Sequence, residues 1–192
     1  MPSPVPPRRR FVLLDRDGTI IVEKNYLRAV KDLELLPHAA EGLRLFRTRG
    51  FGLIVITNQS GVGRGLVSIA AVEEIHAELA RRLEAEGVPL EAIYYCPHLP
   101  SDNCNCRKPR IGLAERAAGD FGFELGECLV IGDKVSDVEF GRACDARTIL
   151  VRTGYGTLQE SLARPDAVAD NLEDAASLSL RLEDGNRMPE HR

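Results

Sequence analysis

The sequence contains no tryptophan, and aromatic residues make up only 5% of its 192 positions. Proteins that hold single-stranded nucleic acid stack bases on aromatic rings inside a basic groove. With a net charge of −4 this chain is short of both rings and positive charge. The same balance gives no reason to expect an anionic membrane as partner. No apolar stretch approaches the roughly 20 residues that span a bilayer. Arg8, Arg9 and Arg10 precede only the short run Phe11 to Leu14, without the longer apolar segment and small-residue cleavage site of a signal peptide. These absences lead to the expectation of a cytoplasmic, monomeric protein that handles a small molecule, with no nucleic acid and no membrane as partner.

Repeats, low-complexity segments and internal linkers are missing as well. The length suits one α/β domain and is short for two, and 44% hydrophobic with 28% charged residues is an ordinary globular balance. Residues 1–10, with four prolines, read as a disordered tail, 11–182 as the domain and 183–192 as a frayed C-terminal tail.

Short apolar runs recur at Phe11–Leu14, Leu53–Ile56, Ala92–Tyr95, Cys128–Ile131 and Thr148–Val151. Continuous apolar runs, without in-out alternation, indicate strands buried on both faces, as in a parallel sheet covered by helices. Between them, Ala39–Arg49 reads as a helix that stops at Gly50. Val72, Ile75, Leu79 and Leu83 fall at helical spacing before Gly87, and Gly112–Phe121 and Asp137–Cys144 read as two more helices. This alternation predicts a doubly wound, Rossmann-like α/β fold with a parallel sheet and flanking helices.

In such a sheet, ligands bind outside the carboxyl ends of the strands, and a polar set follows each of the first four runs. These sets are Asp15-Arg16-Asp17-Gly18-Thr19, Thr57-Asn58-Gln59-Ser60, Arg107-Lys108 and Gly132-Asp133-Lys134. A single Asp after a strand is commonly a helix cap or turn residue; four polar sets at one edge are a site. Asp15, Asp17 and Asp133 would crowd negative charge unless a cation sat among them. Oxygen-only ligands select a hard ion such as Mg²⁺, which pairs a few carboxylates with waters and phosphate oxygens. Thr57 and Asn58 can donate to phosphoryl oxygens, and Lys108 supplies positive charge to a transferring phosphoryl group. Asp17 can protonate a leaving oxygen and then deprotonate the attacking water.

The segments Asp15-Arg16-Asp17-Gly18-Thr19, Thr57-Asn58, Lys108 and Gly132-Asp133-Lys134-x-x-Asp137 resemble, in order, the four motifs of the haloacid dehalogenase superfamily. The resemblance spans residues 15 to 137 and implies a Mg²⁺-dependent phosphatase. Asp15 would be nucleophile and metal ligand, and Asp17 acid/base and a ligand through its backbone carbonyl. Asp133 would complete the metal site, and Asp137 would support it or start a helix. Thr57 and Lys108 would complete the catalytic set. Many members carry a large inserted cap domain; here the intervals between motifs are too short for one.

In place of a cap, residues 96–106 hold Cys96-Pro97-His98 and Cys104-Asn105-Cys106. Three thiolates and one imidazole make a complete tetrahedral set for structural Zn²⁺, with no open catalytic position. The same residues also allow a disulfide or free thiols; Cys128 and Cys144 read as small core residues. Zinc loops of this kind are similar to those of two phosphatase groups in the superfamily, one acting on a heptose bisphosphate and one on histidinol phosphate. The stretch Thr57–Gly65, Ile93–His98, Gly132-Asp133-Lys134 and Leu150–Gly154 resemble the heptose group more closely, although Arg110-Ile111-Gly112 departs from its pattern. That resemblance places Glu23, Tyr26, Asn58, Gln59, Ser60, Arg107 and Lys134 at the substrate, a sugar phosphate.

Other signals carry less. Gly61-Val62-Gly63-Arg64-Gly65 fits neither dinucleotide nor P-loop spacing and reads as a substrate loop or turn. His38 and His76 lie in helical patterns and read as surface or core residues. Arg152 and Thr153 fit a loop role as well as a substrate role. A phospho-accepting signalling domain would carry its Asp after a middle strand, and here the acidic set follows the first.

Overall fold

The computed structural model describes residues 9–183. Six strands form one parallel sheet: β1 (Phe11–Leu14), β2 (Gly52–Asn58), β3 (Ala92–Cys96), β4 (Leu129–Gly132), β5 (Arg147–Val151) and β6 (Ala167–Ala169). Their order is β3-β2-β1-β4-β5-β6, and every neighbouring pair is parallel. Among the described residues six α-helices connect them, α1 (Ala39–Thr48), α2 (Ser60–Gly63), α3 (Ile69–Ala85), α4 (Gly112–Phe121), α5 (Val135–Ala143) and α6 (Gly156–Ala163), and α7 (Leu172–Glu183) follows the last strand. Between β1 and α1, and between β3 and α4, the described chain holds only single 3₁₀ turns, at Val30–Asp32 and Pro100–Asp102, so no cap domain interrupts the fold.

The strands are apolar throughout because both faces are covered. Val12, Leu14, Leu53, Val55, Leu129 and Ile131 point to one core with Leu43 and Phe46 of α1, Ile75, Leu79 and Leu83 of α3, and Ala175 and Ala176 of α7. Phe11, Leu13, Ile54, Ile56 and Val130 point to the other, against Leu113, Ala114 and Ala117 of α4 and Phe140 of α5. Burying each large side chain of this kind stabilises the fold by about 1.5–3 kcal/mol. Ser68 caps α3 by accepting from the Ala71 amide at 3.1 Å. Where α1 meets α7 the backbones nearly touch at Gly42, whose Cβ would lie 2.3 Å from the Leu172 carbonyl carbon.

Several elements differ from the sequence reading. The second strand runs on through Thr57 and Asn58, which pair with Tyr95 and Cys96 of β3 instead of following the strand. The glycine cluster after it starts with the short helix α2. The sequence pattern did not signal β6, α6 and α7, for physical reasons. β6 is three residues at the sheet edge. α6 turns Leu158 and Leu162 to solvent, and α7 buries the small residues Ala175, Ala176 and Ser179. Of the expected tails, residues 1–8 and 184–192 lie outside the described residues. Arg9 and Arg10 are held in place: Arg9 pairs with Glu91 and lies over Phe11, and Arg10 lies over Phe51. Among the described residues, no helix is long and apolar enough to cross a membrane.

Candidate active site

The strand order reverses direction at β1 and β4, the adjacent central strands, so the connections leaving them diverge and open a crevice at their carboxyl ends. Asp15 follows β1 there and Asp133 follows β4. The cleft is lined by all eleven residues expected to be catalytic or substrate-binding: Asp15, Asp17, Glu23, Tyr26, Thr57, Asn58, Gln59, Ser60, Arg107, Lys108 and Lys134. Asn25 and Ser136, which the sequence reading did not single out, line it too.

Lys108 forms the floor. Its ammonium is buried, 2.9 Å from Asp15 Oδ1, 2.7 Å from Asp137 Oδ1, and donates to the Ile56 carbonyl at 2.6 Å. Burial alone would push this lysine down, but Asp137 and Asp15 outweigh it and raise its pKa. Burial likewise opposes ionisation of Asp15, and Lys108 with Lys134 overcomes it, holding the carboxyl below its usual range. Lys134 reaches in from above, 3.3 Å from Asp133 Oδ1, 3.8 Å from Asp15 Oδ2 and 3.4 Å from Glu23 Oε2. Tyr155 lies beneath this ammonium, its ring centroid 5.2 Å from Nζ, and its hydroxyl bonds Asn25 across the cleft.

Asp133 is fully buried. Its Oδ2 accepts from the Tyr155 amide at 2.8 Å, while its buried Oδ1 makes no hydrogen bond. Burial, reinforced by the charge on Asp15, pushes its carboxyl up to about 7. Gly18 and Gly154 close over it at positive φ, and a Cβ on either would fall 2.2 Å from Asp133 Oδ2. Asp137 is also pushed up by burial, against the pull of Lys108, and its Oδ2 accepts from the Lys134 amide at the start of α5.

Ligand oxygens of Asp15, Asp133 and Asp137 lie within 4.8 Å of one another. Three crowded carboxylates, two of them resisting ionisation and one with a buried oxygen that makes no hydrogen bond, form a donor set that fits a hard divalent cation. The side chain of Asp17 is outside this trio. Arg16 forks onto both of its oxygens at 3.0 Å, and Gln59 Nε2 donates to Oδ2 at 2.8 Å.

Two of the residues expected at the substrate also bond within the protein. Asn58, at the cleft edge, also clamps the Lys108 backbone, accepting from its N–H at 3.0 Å and donating to its carbonyl at 3.1 Å. Gln59 donates to Asp17 and to Thr57 Oγ1 and accepts from Arg16. Arg152 pairs with Glu160 and Asp170, and Thr153 donates to the Gly18 carbonyl, so both serve the loop. His38 pairs with Glu173 at the surface. His76 is buried against Arg16.

Cys96, His98, Cys104 and Cys106 converge beside the cleft, and all five cysteines are free. Sulfur–sulfur distances are 3.2–3.6 Å, and His98 Nδ1 lies 3.6 Å from Cys96 Sγ and 3.2 Å from Cys106 Sγ. Ligands of one tetrahedral ion with metal–sulfur bonds of about 2.3 Å stand roughly 3.8 Å apart, close to this spacing. Burial pushes the Cys96 thiol up to about 12. Burial also opposes the Cys104 thiolate, but hydrogen bonds from Cys106 and Cys96 prevail and bring it down to about 7. The loop is tied to α2 through Gln59 N to Cys96 O and Gly63 N to Pro97 O, and to α4 through Gly112 N to Asn105 O.

A family model described as HAD-hyrolase-like matches residues 105–175. D-glycero-beta-D-manno-heptose-1,7-bisphosphate 7-phosphatase of Pseudomonas aeruginosa is 34% identical over 176 residues, 90% of this chain and 99% of the relative. The enzyme of the same name from Escherichia coli K12 is 33% identical, covering 85% and 90%. The crystal structure of D,D-heptose 1,7-bisphosphate phosphatase from B. bronchiseptica, complexed with magnesium and phosphate, superposes with a TM-score of 0.83 at 27% identity, over 90% of this chain and 99% of that one. Of the two zinc-loop groups that the sequence resembles, these relatives carry the name of the first. The chain thus belongs to the haloacid dehalogenase-like hydrolases and, among them, to the heptose-1,7-bisphosphate 7-phosphatases.

Proposed function

We propose that the protein removes the 7-phosphate of D-glycero-D-manno-heptose 1,7-bisphosphate, a step toward lipopolysaccharide precursors, through a phosphate ester on Asp15. The observation that carries this reading is the buried ammonium of Lys108, shared between Asp15 and Asp137 under an open cleft. It keeps Asp15 ionised as a nucleophile while presenting positive charge to the incoming phosphate. Asp15 attacks phosphorus, the bond to the sugar oxygen breaks, and Asp17 hands its proton to that oxygen. Asp17 then takes a proton from the water that attacks the aspartyl phosphate, freeing inorganic phosphate and regenerating Asp15. Asp15, Asp133 and the Asp17 backbone carbonyl would hold Mg²⁺, with Asp137 beside them. The ion supplies charge neutralisation between carboxylate and phosphate. Cys96, His98, Cys104 and Cys106 would hold Zn²⁺, which shapes the loop leading to Arg107. The enzyme would act as a cytoplasmic monomer, its domain formed by residues 11–182.

Arg107 lines the cleft wall as a cation for a second phosphate, beside Lys134, whose ammonium also faces Asp15, Glu23 and Asp133. The test is kinetic. kcat/KM for the heptose bisphosphate is expected to exceed that for histidinol phosphate by at least about a hundredfold, or ~2.7 kcal/mol in transition-state binding. Arg107→Ala should weaken the bisphosphate far more than a simple monophosphate. Equal or better efficiency on histidinol phosphate overturns the substrate assignment.

A further inference from the structure

Arg16 occupies the middle position of the Asp15-Arg16-Asp17 motif, yet it is 1% exposed and is not among the residues that line the cleft. A buried guanidinium is costly unless its donors are met, and here the partners are specific. Nε and Nη2 fork onto the two oxygens of Asp17 at 3.0 Å, Nη2 also reaches Gln59 Oε1 at 3.0 Å, and Nη1 lies 2.8 Å from His76 Nε2. Arginine has no acceptor and does not lose its proton. His76 Nε2 must therefore be the acceptor, which fixes a neutral imidazole with its proton on Nδ1. Burial, followed by the charge of Arg16, pushes His76 down to about 3, in keeping with that neutral form.

The imidazole is itself held: His76 sits on α3, 7% exposed, with the Tyr95 ring edge-on at 5.2 Å. A chain of contacts thus runs from α3 through Arg16 to the carboxylate of Asp17. The other two anchors hold Arg16 by their own atoms, His76 through Nε2 and Gln59 through Oε1, although Gln59 also donates to Asp17 through Nε2. When Asp17 turns toward a leaving oxygen, Arg16 keeps those two and stays in place to receive the carboxylate again.

We infer that His76 and Arg16 are positioning residues for the proton transfers of Asp17: neutral His76 orients the guanidinium fork, and the fork sets where the Asp17 carboxyl stands and to where it returns. The inference rests on the reading of Asp17 as acid and base given above. It predicts a leaving-group signature. A sugar alkoxide needs the Asp17 proton to depart and p-nitrophenolate does not, and kcat/KM reports the step in which either leaves. A defect in placing Asp17 should therefore fall on a primary sugar phosphate and spare p-nitrophenyl phosphate, whereas general damage to the fold would lower both.

The experiment measures the ratio of kcat/KM for p-nitrophenyl phosphate to that for a primary sugar phosphate. Asp17→Asn is the control and should raise the ratio at least tenfold; if it does not, the acid–base reading itself fails. With that control in hand, His76→Leu and Arg16→Lys should each raise the ratio fivefold or more. Leucine keeps bulk without an acceptor, and lysine keeps charge without a fork. His76→Gln, whose amide oxygen can stand where Nε2 stands, should stay below fivefold. A change below fivefold in whichever of His76→Leu and Arg16→Lys folds, or a fivefold change in His76→Gln, overturns the positioning role while leaving Asp17 its chemistry. In the unmodified protein, imidazole ¹⁵N shifts should show His76 protonated at Nδ1 alone; a proton on Nε2 overturns the inference without any variant.

Discussion

Asn58 grips Lys108 by both of its main-chain polar groups, accepting from the amide at 3.0 Å and donating to the carbonyl at 3.1 Å. The two residues lie 50 positions apart, so this pair fixes the loop after β3 to the end of β2 and aims the Lys108 side chain at Asp15. Asn58→Ala leaves both groups without that partner, at a cost of about 1–3 kcal/mol. For a domain of this size a loss of 1 kcal/mol lowers Tm by roughly 2–4 °C. Activity should fall further than stability, on the order of a hundredfold in kcat, because the lysine is misplaced by the same change. Paired thermal melts and steady-state kinetics check it; a wild-type kcat in the variant would show that Lys108 is aimed by other means.

Asp15→Asn should abolish turnover and leave the protein folded. The amide removes a nucleophilic carboxylate, but Lys108 keeps Asp137 and the Ile56 carbonyl as partners. A cooperative melt near the wild-type Tm, with no phosphate release in Mg²⁺, is the expected result. Substantial Mg²⁺-dependent turnover by the purified variant would sink the covalent-aspartate mechanism.

Protein purified without chelator should carry about one zinc per chain, distinct from exchangeable Mg²⁺. Cys104→Ser should lower that content, since it removes the ligand whose thiolate is the most accessible near neutral pH. Elemental analysis with thiol titration decides the matter. Absence of zinc, together with five titratable thiols in the native state, refutes the site.

His76 should impose a pH dependence on stability. Its ordinary value is 6.5 and burial with Arg16 lowers it to about 3 in the fold. Above 6.5 both folded and unfolded chains leave it neutral, so it adds no slope. As the pH falls from 6.5 toward 3 the unfolded chain binds a proton that the native state refuses, and stability drops by up to about 1.4 kcal/mol per pH unit. Urea melts at pH 7 and pH 4.5 should show a smaller acid loss in His76→Gln than in the wild type, by about 2–3 kcal/mol. Equal losses in the two proteins would mean that His76 is already charged in the fold.

The site was legible in the sequence wherever chemistry and strand end are neighbours along the chain. Asp15 and Asp17, Thr57 and Asp133 each sit within a few residues of an apolar run, Lys108 ends the loop that follows another, and the parallel fold gathers the ends of such runs at one edge. What escaped is what the fold joins across distance. Arg16 read as one motif residue among several, and His76, 60 positions on, has the spacing of a plain core residue on α3; nothing local marks them as partners. Asn58 and Gln59 line the cleft, and their bonds to Lys108 and Asp17 join segments that only the fold brings together. Tyr155 follows a glycine in a loop whose strand was recognised but whose helix α6 was not, since Leu158 and Leu162 face solvent.

Thr153 donates to the Gly18 carbonyl across 135 positions of sequence, and Gly18 and Gly154 approach until a Cβ on Gly154 would meet the Gly18 Cα at 2.6 Å. The Asp133 carboxylate beneath them is therefore enclosed only after the loops leaving β1 and β5 have both arrived, with β4 laid down between. Contacts of such separation are slow to form because chain closure comes before any reward. Catalytic competence should then be among the last properties regained on refolding, appearing after helical circular dichroism has recovered.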